Sequence, residues 1–442
     1  MKADQPPERP PGFTYRRDKR LLRKSNVELH ADDVPFSRLA RLYDTPLYVY
    51  SGSTIHQRFQ QFDKTFDGCQ HTICYSVKAN SNLSILRLLA CLGAGFDIVS
   101  GGELQRVAEA GGKIKSKIVF SGVGKLSPEI DLALRSGILL FNVESASEME
   151  LLAARASHLR KSANFAVRVN PDVATETHPY ISTGLHQHKF GVPWRDAAAL
   201  YRRGAENRYL KPAGVSVHIG SQIADVAPFG EAMERVASLA SSLRAEGYDI
   251  RFVDAGGGLG IQYEHNSDAN FAAQAKQYAT ALLGPLKNLG LHLLLEPGRA
   301  IVGPAGVLLT RVIYRKRNDG KQFVVVDAAM NDLLRPSLYG AYHEIVPVVL
   351  QKGRATENVD VVGPVCESGD FLARDRELLT VQEGELLAIL DTGAYGMSLA
   401  SNYNSRPRPA EVLVSGKQFR VIRERDTYED LIRGENPAQD ML

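Results

Sequence analysis

The sequence predicts an α/β fold in which a (β/α)8 TIM-like barrel is followed by a mostly β domain. From residue 72 to residue 298, short apolar runs typical of buried parallel strands alternate with amphipathic stretches typical of helices. Polar residues follow nearly every apolar run, and the carboxyl ends of barrel strands open on one mouth, where catalytic groups lie. A doubly wound open sheet is the alternative, but it would concentrate such groups at a single switch point.

Eight strand–helix units are predicted in succession. The predicted strands cover residues 72–77, 95–99, 118–121, 139–143, 165–169, 214–218, 251–254 and 292–296. Helical patterns between them include residues 83–92, 103–110, 128–135, 148–156 and 229–246. After Arg299 the strand-like runs are 307–314, 323–327, 386–390 and 411–414. We therefore expect an N-terminal segment (1–45) that packs on the β domain, a barrel (46–299) and the β domain itself (300–442).

Composition excludes several classes of protein. The chain has 442 residues, 44% of them hydrophobic and 23% charged, which is ordinary for a globular protein. Its formal net charge of +3 does not favour nucleic acid or an anionic membrane as the main partner. We see neither a secretion signal nor a run approaching the roughly 20 apolar residues that span a bilayer. The four cysteines, Cys69, Cys74, Cys91 and Cys366, have no CxxC spacing, so we expect no metal, no disulfides and a cytoplasmic location.

Lys78 lies where the first predicted barrel strand meets a polar turn. A lysine drawn out of water there is costly unless a partner pairs with it or its pKa falls. Desolvated lysines of this kind form Schiff bases with carbonyl substrates and with pyridoxal phosphate (PLP). For Lys78 taken alone, the alternative is a surface lysine whose stem covers apolar surface.

Three further motifs follow the last three predicted strands. His218 and Ser221 suit stacking on a flat ring and donation to a phosphate, although a core histidine is the alternative. Glycines 256–258 would let backbone N–H groups converge on a phosphate, and their run matches neither the dinucleotide fingerprint nor the P-loop. Glu296 suits a protonated pyridine nitrogen, and Arg299 suits a substrate carboxylate, unless the two form a simple ion pair.

Nine motifs follow one another between about residues 46 and 414: YSVKAN, FDIVSGGEL, HPYISTGLHQHKFG, HIGSQ, DAGGGLG, EPGR, RPSLY, CESGD and GAYG. In this order they resemble the PLP-dependent decarboxylases with an alanine-racemase-like barrel, and within them the diaminopimelate decarboxylases. The residues before about Asn26 depart from that family because they are longer, richer in proline and more basic.

The resemblance implies a role for each motif in cofactor binding. Lys78 would form the Schiff base with PLP, His218 would stack on the ring, and Glu296 would pair with its nitrogen. The remaining residues implied in the cofactor site are Asp97, Arg168, Ser221, Gly256, Gly257, Gly258, Pro297, Gly298, Arg299 and Tyr395.

The resemblance also implies the reaction, which is decarboxylation of meso-2,6-diaminopimelate to L-lysine and CO2, the last step of lysine biosynthesis. Cys366 would be the proton donor and would come from the partner subunit of a homodimer with shared active sites. The implied substrate-binding residues are Arg299, Arg335, Tyr339, Glu367 and Tyr395, with Glu367 on the ammonium group of the end that is retained.

Two other functions stay open. One is a decarboxylase of a related substrate, either a D-amino acid or a carboxylated polyamine. The other is a catalytically silent PLP-binding homologue, against which the presence of both Lys78 and Cys366 argues. Alanine racemase is disfavoured because its chemistry needs two bases and does not explain Arg335 together with Glu367.

Overall fold

The computed structural model describes residues 12–17, 27–111, 115–173, 189–264 and 271–437. It divides into two units, which we call the β unit (Met1–Thr54, Tyr263–Ser267 and Pro304–Leu442) and the barrel unit (Ile55–Gln262 and Asp268–Gly303). Most of the HPYISTGLHQHKFG motif and much of the N-terminal segment lie outside the described residues.

In the described residues of its N-terminal part, the β unit has short strands and one helix. These are β1 (Phe13–Arg17), β2 (Val27–Ala31), β3 (Val34–Pro35), α1 (Phe36–Tyr43) and β4 (Leu47–Ser51). Strand β1 pairs antiparallel with β2, which places Phe13 opposite Ala31. Both residues are buried in an apolar cluster that also contains Val307 and Val412, so the two ends of the chain share one core within this unit.

Among its described residues, the barrel unit has nine parallel strands, of which eight close on themselves. They are β5 (His71–Ser76), β6 (Gly95–Ile98), β7 (Ile118–Phe120), β8 (Leu140–Val143), β9 (Ala163–Asn170), β10 (Val192–Pro193), β11 (Leu210–Val217), β12 (Phe252–Asp254) and β13 (His292–Leu295). The order is β9-β11-β12-β13-β5-β6-β7-β8, and β8 pairs again with β9, placing Phe141 opposite Phe165. This closure confirms the predicted barrel and excludes the open sheet.

Helices surround these strands. They are α2 (Gly52–Lys64), α3 (Leu83–Cys91), α4 (Gly101–Gly111), α5 (Ser127–Ser136), α6 (Ala146–Leu159), α7 (Trp194–Ala205), α8 (Ala227–Ala245), α9 (Phe271–Leu286) and α10 (Arg299–Val302). Side-chain caps fix where several of these helices begin, because an Asn or Ser oxygen accepts a hydrogen bond from one of the unpaired N–H groups of the first turn. Asn82 accepts from Ser84 N before α3, and Ser145 accepts from Glu148 N before α6.

The rest of the β unit is mostly strand, as predicted. Its elements are β14 (Gly306–Asn318), β15 (Lys321–Val326), α11 (Arg335–Tyr339), β16 (Ile345–Pro347), β17 (Val349–Leu350), β18 (Thr356–Val362), β19 (Phe371–Leu379), β20 (Leu386–Ile389), β21 (Ala410–Ser415), β22 (Gln418–Arg423) and α12 (Tyr428–Leu431). The main sheet runs β19-β18-β15-β14-β4-β21-β22, with β20 also paired to β14. Strand β4 is therefore central, antiparallel to β14 and parallel to β21.

Two properties of the described residues bear on partners and metals. None of the helices there combines the length and apolar character needed to cross a membrane. Nor do the described His, Cys, Asp and Glu side chains form a group of three or more that could hold a metal ion.

Candidate active site

Lys78 is held at the mouth of the barrel by an ion pair. It lies in the short 3-10 turn that follows β5, and its Nζ donates to Asp97 Oδ2 at the end of β6 over 2.9 Å. Ser76 Oγ donates to the same carboxylate oxygen, also at 2.9 Å. Asp97 is fully buried, whereas the Lys78 side chain is 37% exposed. The amine is thus anchored by a buried charge yet accessible from solvent, which differs from a lysine that merely covers apolar surface.

A pair of buried carboxyl groups lies at the ends of β12 and β13. The carboxyl groups of Asp254 and Glu296 lie close enough to perturb each other's ionisation. Asn142 Nδ2 donates to Asp254 Oδ2 at 2.5 Å, and Ser121 Oγ donates to Glu296 Oε1 at 3.1 Å. Four strand ends therefore contribute to one polar network beneath the barrel mouth.

This environment changes the protonation of the pair. Burial, followed by the charges of Asp254 and Asp97, raises the pKa of Glu296 well above its ordinary value. Burial also raises the pKa of Asp254. Because two adjacent carboxylates out of water repel each other, the pair binds a proton more tightly than either group would in water. A carboxyl group of this kind is suited to a hydrogen bond with a ring nitrogen.

His218 follows β11 and is held as a neutral imidazole. Its Nδ1 accepts the backbone N–H of Gly257 at 3.1 Å, which assigns the ring proton to Nε2. Burial, followed by the positive charges of Arg168 and Lys78, lowers the pKa of His218 well below its ordinary value. A neutral ring with one edge fixed by the backbone is suited to stacking on another flat ring.

The glycine loop after β12 has no room for side chains. A Cβ on Gly256 would lie 2.6 Å from His218 Nδ1, and one on Gly257 would lie 2.2 Å from the Glu296 carbonyl oxygen. Gly258 has a φ of +109°, and a Cβ there would lie 2.5 Å from Gly220 O. The loop therefore packs its backbone directly against the segments that carry His218 and Glu296.

Two arginines occupy other strand ends of the barrel unit. Arg168, on β9, donates from Nη1 to Glu144 Oε1 at 3.1 Å, and its guanidinium lies 4.9 Å from the centre of the Phe190 ring. Arg299 begins α10, is buried, and donates from Nη2 to Ser221 Oγ at 3.2 Å. Ser221 and Arg299, both predicted to belong to the cofactor site, are thus brought together.

The preceding Glu296-Pro297-Gly298 turn packs against the end of β5. Ser76 N donates to Pro297 O at 3.2 Å. A Cβ on Gly298 would lie 2.8 Å from that of Ala79, which explains the glycine. The segments that carry Lys78 and Arg299 are therefore neighbours in the barrel unit.

Arg335 and Tyr339 lie at opposite ends of helix α11 in the β unit. Arg335 is buried, its Nη1 lies 2.7 Å from His343 Nε2, and its guanidinium lies 4.7 Å from the centre of the Tyr263 ring. Sequence reasoning selected Arg335 but gave no role to His343 or Tyr263, because neither belongs to a motif.

Cys366 and Glu367 lie on an exposed loop of the β unit. The Cys366 N–H donates to Asn404 Oδ1 at 2.7 Å. Glu367 accepts the Gly369 N–H at 3.3 Å and the Tyr403 hydroxyl at 3.4 Å. Tyr395, also in this unit, has a φ of +56°, a left-handed conformation that is uncommon for a tyrosine.

Sequence reasoning missed the residues that support the predicted ones. Asp254 and Glu144 were visible as polar residues at strand ends, but nothing in the sequence indicated that they contact Glu296 and Arg168. Glu103 was not selected at all. Burial raises its pKa to about 7, and it accepts the Val99 N–H at 2.7 Å, close behind the Lys78–Asp97 pair.

These groups fit a pyridine cofactor that carries a phosphate. An accessible lysine amine, a neutral histidine ring and a buried carboxyl group with a raised pKa lie at one barrel mouth, beside a turn of glycines. The buried Asp97 Oδ1 has no hydrogen-bond partner among the described residues, so the site holds polar capacity that this chain does not use. The fold and the site together define a barrel enzyme of the PLP-dependent type.

Comparison with known proteins identifies the family. Residues 52–303 match the family model for the pyridoxal-binding domain of the pyridoxal-dependent decarboxylases. The chain is 49% identical over 409 residues to diaminopimelate decarboxylase of Neisseria meningitidis serogroup A, covering 92% of this chain and 99% of that protein. It is 48% identical over 405 residues to the Aquifex aeolicus diaminopimelate decarboxylase, covering 92% and 95%.

Solved structures agree. The crystal structure of Helicobacter pylori diaminopimelate decarboxylase complexed with L-lysine has a TM-score of 0.85 at 45% identity, covering 90% of this chain and 98% of that one. The M. jannaschii enzyme in co-complex with L-lysine has a TM-score of 0.87 at 39% identity, covering 94% and 97%. The chain belongs to the pyridoxal-dependent decarboxylases, in their diaminopimelate decarboxylase group, and PLP is its cofactor. The predicted resemblance is confirmed.

Proposed function

We propose that the protein decarboxylates meso-2,6-diaminopimelate to L-lysine and CO2, the last step of lysine biosynthesis. The observation that carries this proposal is the Lys78–Asp97 ion pair at the barrel mouth that also holds the neutral His218 and the buried carboxyl pair of Asp254 and Glu296. The 49% identity to a diaminopimelate decarboxylase supports the choice of substrate, as do the two similar structures that hold L-lysine.

The barrel unit would bind and orient the cofactor. When bound, PLP supplies an electron sink for the two bonding electrons that stay with the substrate as CO2 departs. Lys78 would anchor it, Glu296 would place its carboxyl group at the ring nitrogen, and His218 would stack on the ring. The further cofactor-binding residues are Asp97, Arg168, Ser221, Gly256, Gly257, Gly258, Pro297, Gly298, Arg299 and Tyr395.

Other residues would recognise the end of the substrate that is retained. Arg299, Arg335, Tyr339 and Tyr395 would bind its carboxylate end, and Glu367 would bind its ammonium. The Cys366 thiol would donate a proton to the carbon that has lost CO2. Residues 46–299 would thus form the barrel that binds the cofactor, and residues 300–442 would form the β domain that carries substrate-binding residues. Residues 1–45 would pack on that β domain. The cytoplasmic location stays a prediction.

A direct assay tests the activity. Purified protein supplied with PLP and meso-diaminopimelate should release equal amounts of L-lysine and CO2. If it instead decarboxylates only a D-amino acid or a carboxylated polyamine, the assignment of substrate is wrong. If it binds PLP and releases no CO2 from any of them, the protein is a silent homologue.

We further propose a homodimer in which Cys366 of one subunit serves the Lys78 site of the other. The exposure of Cys366 and Glu367 in the single chain supports this, because catalytic and charged substrate-binding groups need a closed, water-poor site. In a two-fold dimer, each interface creates two equivalent sites.

Subunit mixing tests the shared site. Lys78→Ala and Cys366→Ala proteins should each be nearly inactive. Their heterodimer would have one intact site and one doubly disabled site, so random exchange should restore roughly a quarter of wild-type activity. Mass spectrometry confirms the exchange. If confirmed heterodimers recover no activity, Cys366 acts within its own chain or is not the donor.

A further inference from the structure

His343 makes contacts that fix it completely within the β unit. It lies in the loop between α11 and β16 and is fully buried. Its Nδ1 lies 2.8 Å from Leu390 O, and its Nε2 lies 2.7 Å from Arg335 Nη1. Tyr263 packs edge-on against the imidazole at 5.1 Å between ring centres, and Arg376 Nη1 donates to the His343 carbonyl at 2.8 Å.

These contacts define which imidazole nitrogen carries the proton. A carbonyl oxygen only accepts hydrogen bonds, so Nδ1 carries the hydrogen and donates to Leu390 O. A guanidinium only donates, so Nε2 presents its lone pair to Arg335. The imidazole is therefore neutral and acts as a fixed acceptor for one amino group of the arginine.

An uncharged acceptor has a specific consequence for Arg335. A carboxylate in the place of His343 would orient the guanidinium but would also neutralise it. The imidazole orients it and leaves its charge unchanged, while the Tyr263 ring stacks against the guanidinium at 4.7 Å. To bind a carboxylate through two parallel hydrogen bonds, a guanidinium needs both a fixed plane and its full positive charge.

We propose that His343 is a positioning residue that sets Arg335 for the carboxylate retained in the product. This inference rests on the proposed function, which assigns that carboxylate to Arg335. It adds that recognition depends on a neutral imidazole held between Leu390 O and Arg335, with Tyr263 completing the support.

Two ligands that differ by one carboxylate isolate the contribution of that carboxylate to binding. L-Lysine carries the retained carboxylate, and cadaverine is the same diamine without it. In the PLP-loaded enzyme, His343→Phe should weaken inhibition by L-lysine roughly tenfold or more. Without the imidazole, Arg335 is no longer aligned and loses a charged hydrogen bond to the L-lysine carboxylate. Inhibition by cadaverine should stay within about twofold, and KM for meso-diaminopimelate should rise more than kcat falls.

Conservative variants separate positioning from packing. His343→Gln can place an amide oxygen near the Nε2 position and should restore most of the L-lysine affinity. His343→Asn can donate to Leu390 O but cannot reach Arg335, so it should weaken L-lysine binding as His343→Phe does. It replaces the Phe variant in the test if that variant does not fold. His30→Phe is the matched control, since His30 is also a buried histidine of this unit bonded to a backbone carbonyl. It should leave L-lysine binding unchanged.

The outcomes distinguish this inference from the proposed function. If wild-type protein produces no L-lysine from meso-diaminopimelate, the proposed function fails. If wild type is active but His343→Asn weakens L-lysine and cadaverine equally, or weakens neither, only the role of His343 is wrong. Equal losses in the Gln and Asn variants would likewise overturn it.

Discussion

Asp332 allows a quantitative prediction of how stability depends on pH. It is 1% exposed, and burial is the main cause that raises its pKa from 3.8 to about 7. Ala329 N–H donates to its Oδ2 at 2.9 Å, and Asn331 Nδ2 donates to its Oδ1 at 2.9 Å. Asp332→Asn keeps the shape and an acceptor for Ala329 N–H, but it removes the ionisation.

The magnitude follows from the two pKa values. A carboxyl group with a raised pKa in the folded state stabilises fully below the unfolded pKa of 3.8 and loses that contribution as pH rises through about 7. At about 1.4 kcal/mol per pKa unit, the loss is roughly 4 kcal/mol at pH 8.5 but only about 1 to 2 kcal/mol at pH 5. Wild type should thus lose about 3 kcal/mol relative to Asp332→Asn between these pH values.

Thermal unfolding of both proteins at pH 5 and pH 8.5 measures this difference. With an unfolding entropy of about 2.1 cal/mol/K per residue, about 3 kcal/mol corresponds to ~3 °C for a chain of this length. Asp33→Asn is the control, because Arg16 lowers the pKa of the exposed Asp33, so any small effect should have the opposite pH trend. If the melting difference between wild type and Asp332→Asn is the same at both pH values, Asp332 is ionised in the folded protein and the reasoning is refuted.

Two further predictions concern the active site. Lys78→Ala should abolish the visible absorbance of the PLP-loaded protein and nearly all turnover. Borohydride reduction and peptide mapping check this, since a pyridoxyl label on another lysine would contradict the assignment. Glu367→Ala should reduce kcat/KM for meso-diaminopimelate roughly tenfold to a hundredfold with little change in PLP affinity, because the substrate ammonium loses its carboxylate partner. Steady-state kinetics and PLP titration measure both, and wild-type kcat/KM in this variant would remove Glu367 from the site.

The sequence was sufficient for the barrel because its strands are short, apolar and locally bounded. All eight predicted strands occur, and most begin and end within two residues of the prediction. Strand β11 is the main exception, since it begins at Leu210 rather than at residue 214. Pro212 reads as a strand breaker, yet the structure accommodates it at an irregularity in the pairing with β9, between Pro212 and Gly214.

Long-range pairing is what the sequence could not provide. Leu47–Ser51 forms the strand β4, which was not predicted, and its neighbours β14 and β21 lie more than 250 residues later in the chain. The same limit applies to the site. Lys78 and Glu296 could be selected because each ends a predicted strand, but the contact of Glu296 with Asp254 depends on which strands are adjacent. His343 carries no local signal at all, because only the fold brings it to Arg335.

Burial sets the charge state of each group at the barrel mouth. A buried ionised group must be paired or become neutral, because desolvation costs several kcal/mol or more. Asp97 meets this condition by pairing with Lys78, and His218 meets it by staying neutral. For Glu296 and Asp254, burial raises the pKa and so favours the neutral carboxyl form. The Lys78 amine is paired with Asp97 and stays accessible at the mouth, where it suits a cofactor that carries a carbonyl group. The raised pKa of Glu296 and of Asp254 suits this carboxyl pair to a hydrogen bond with a pyridine nitrogen. Cofactor binding and acid–base state therefore have one physical origin, the burial of these strand ends.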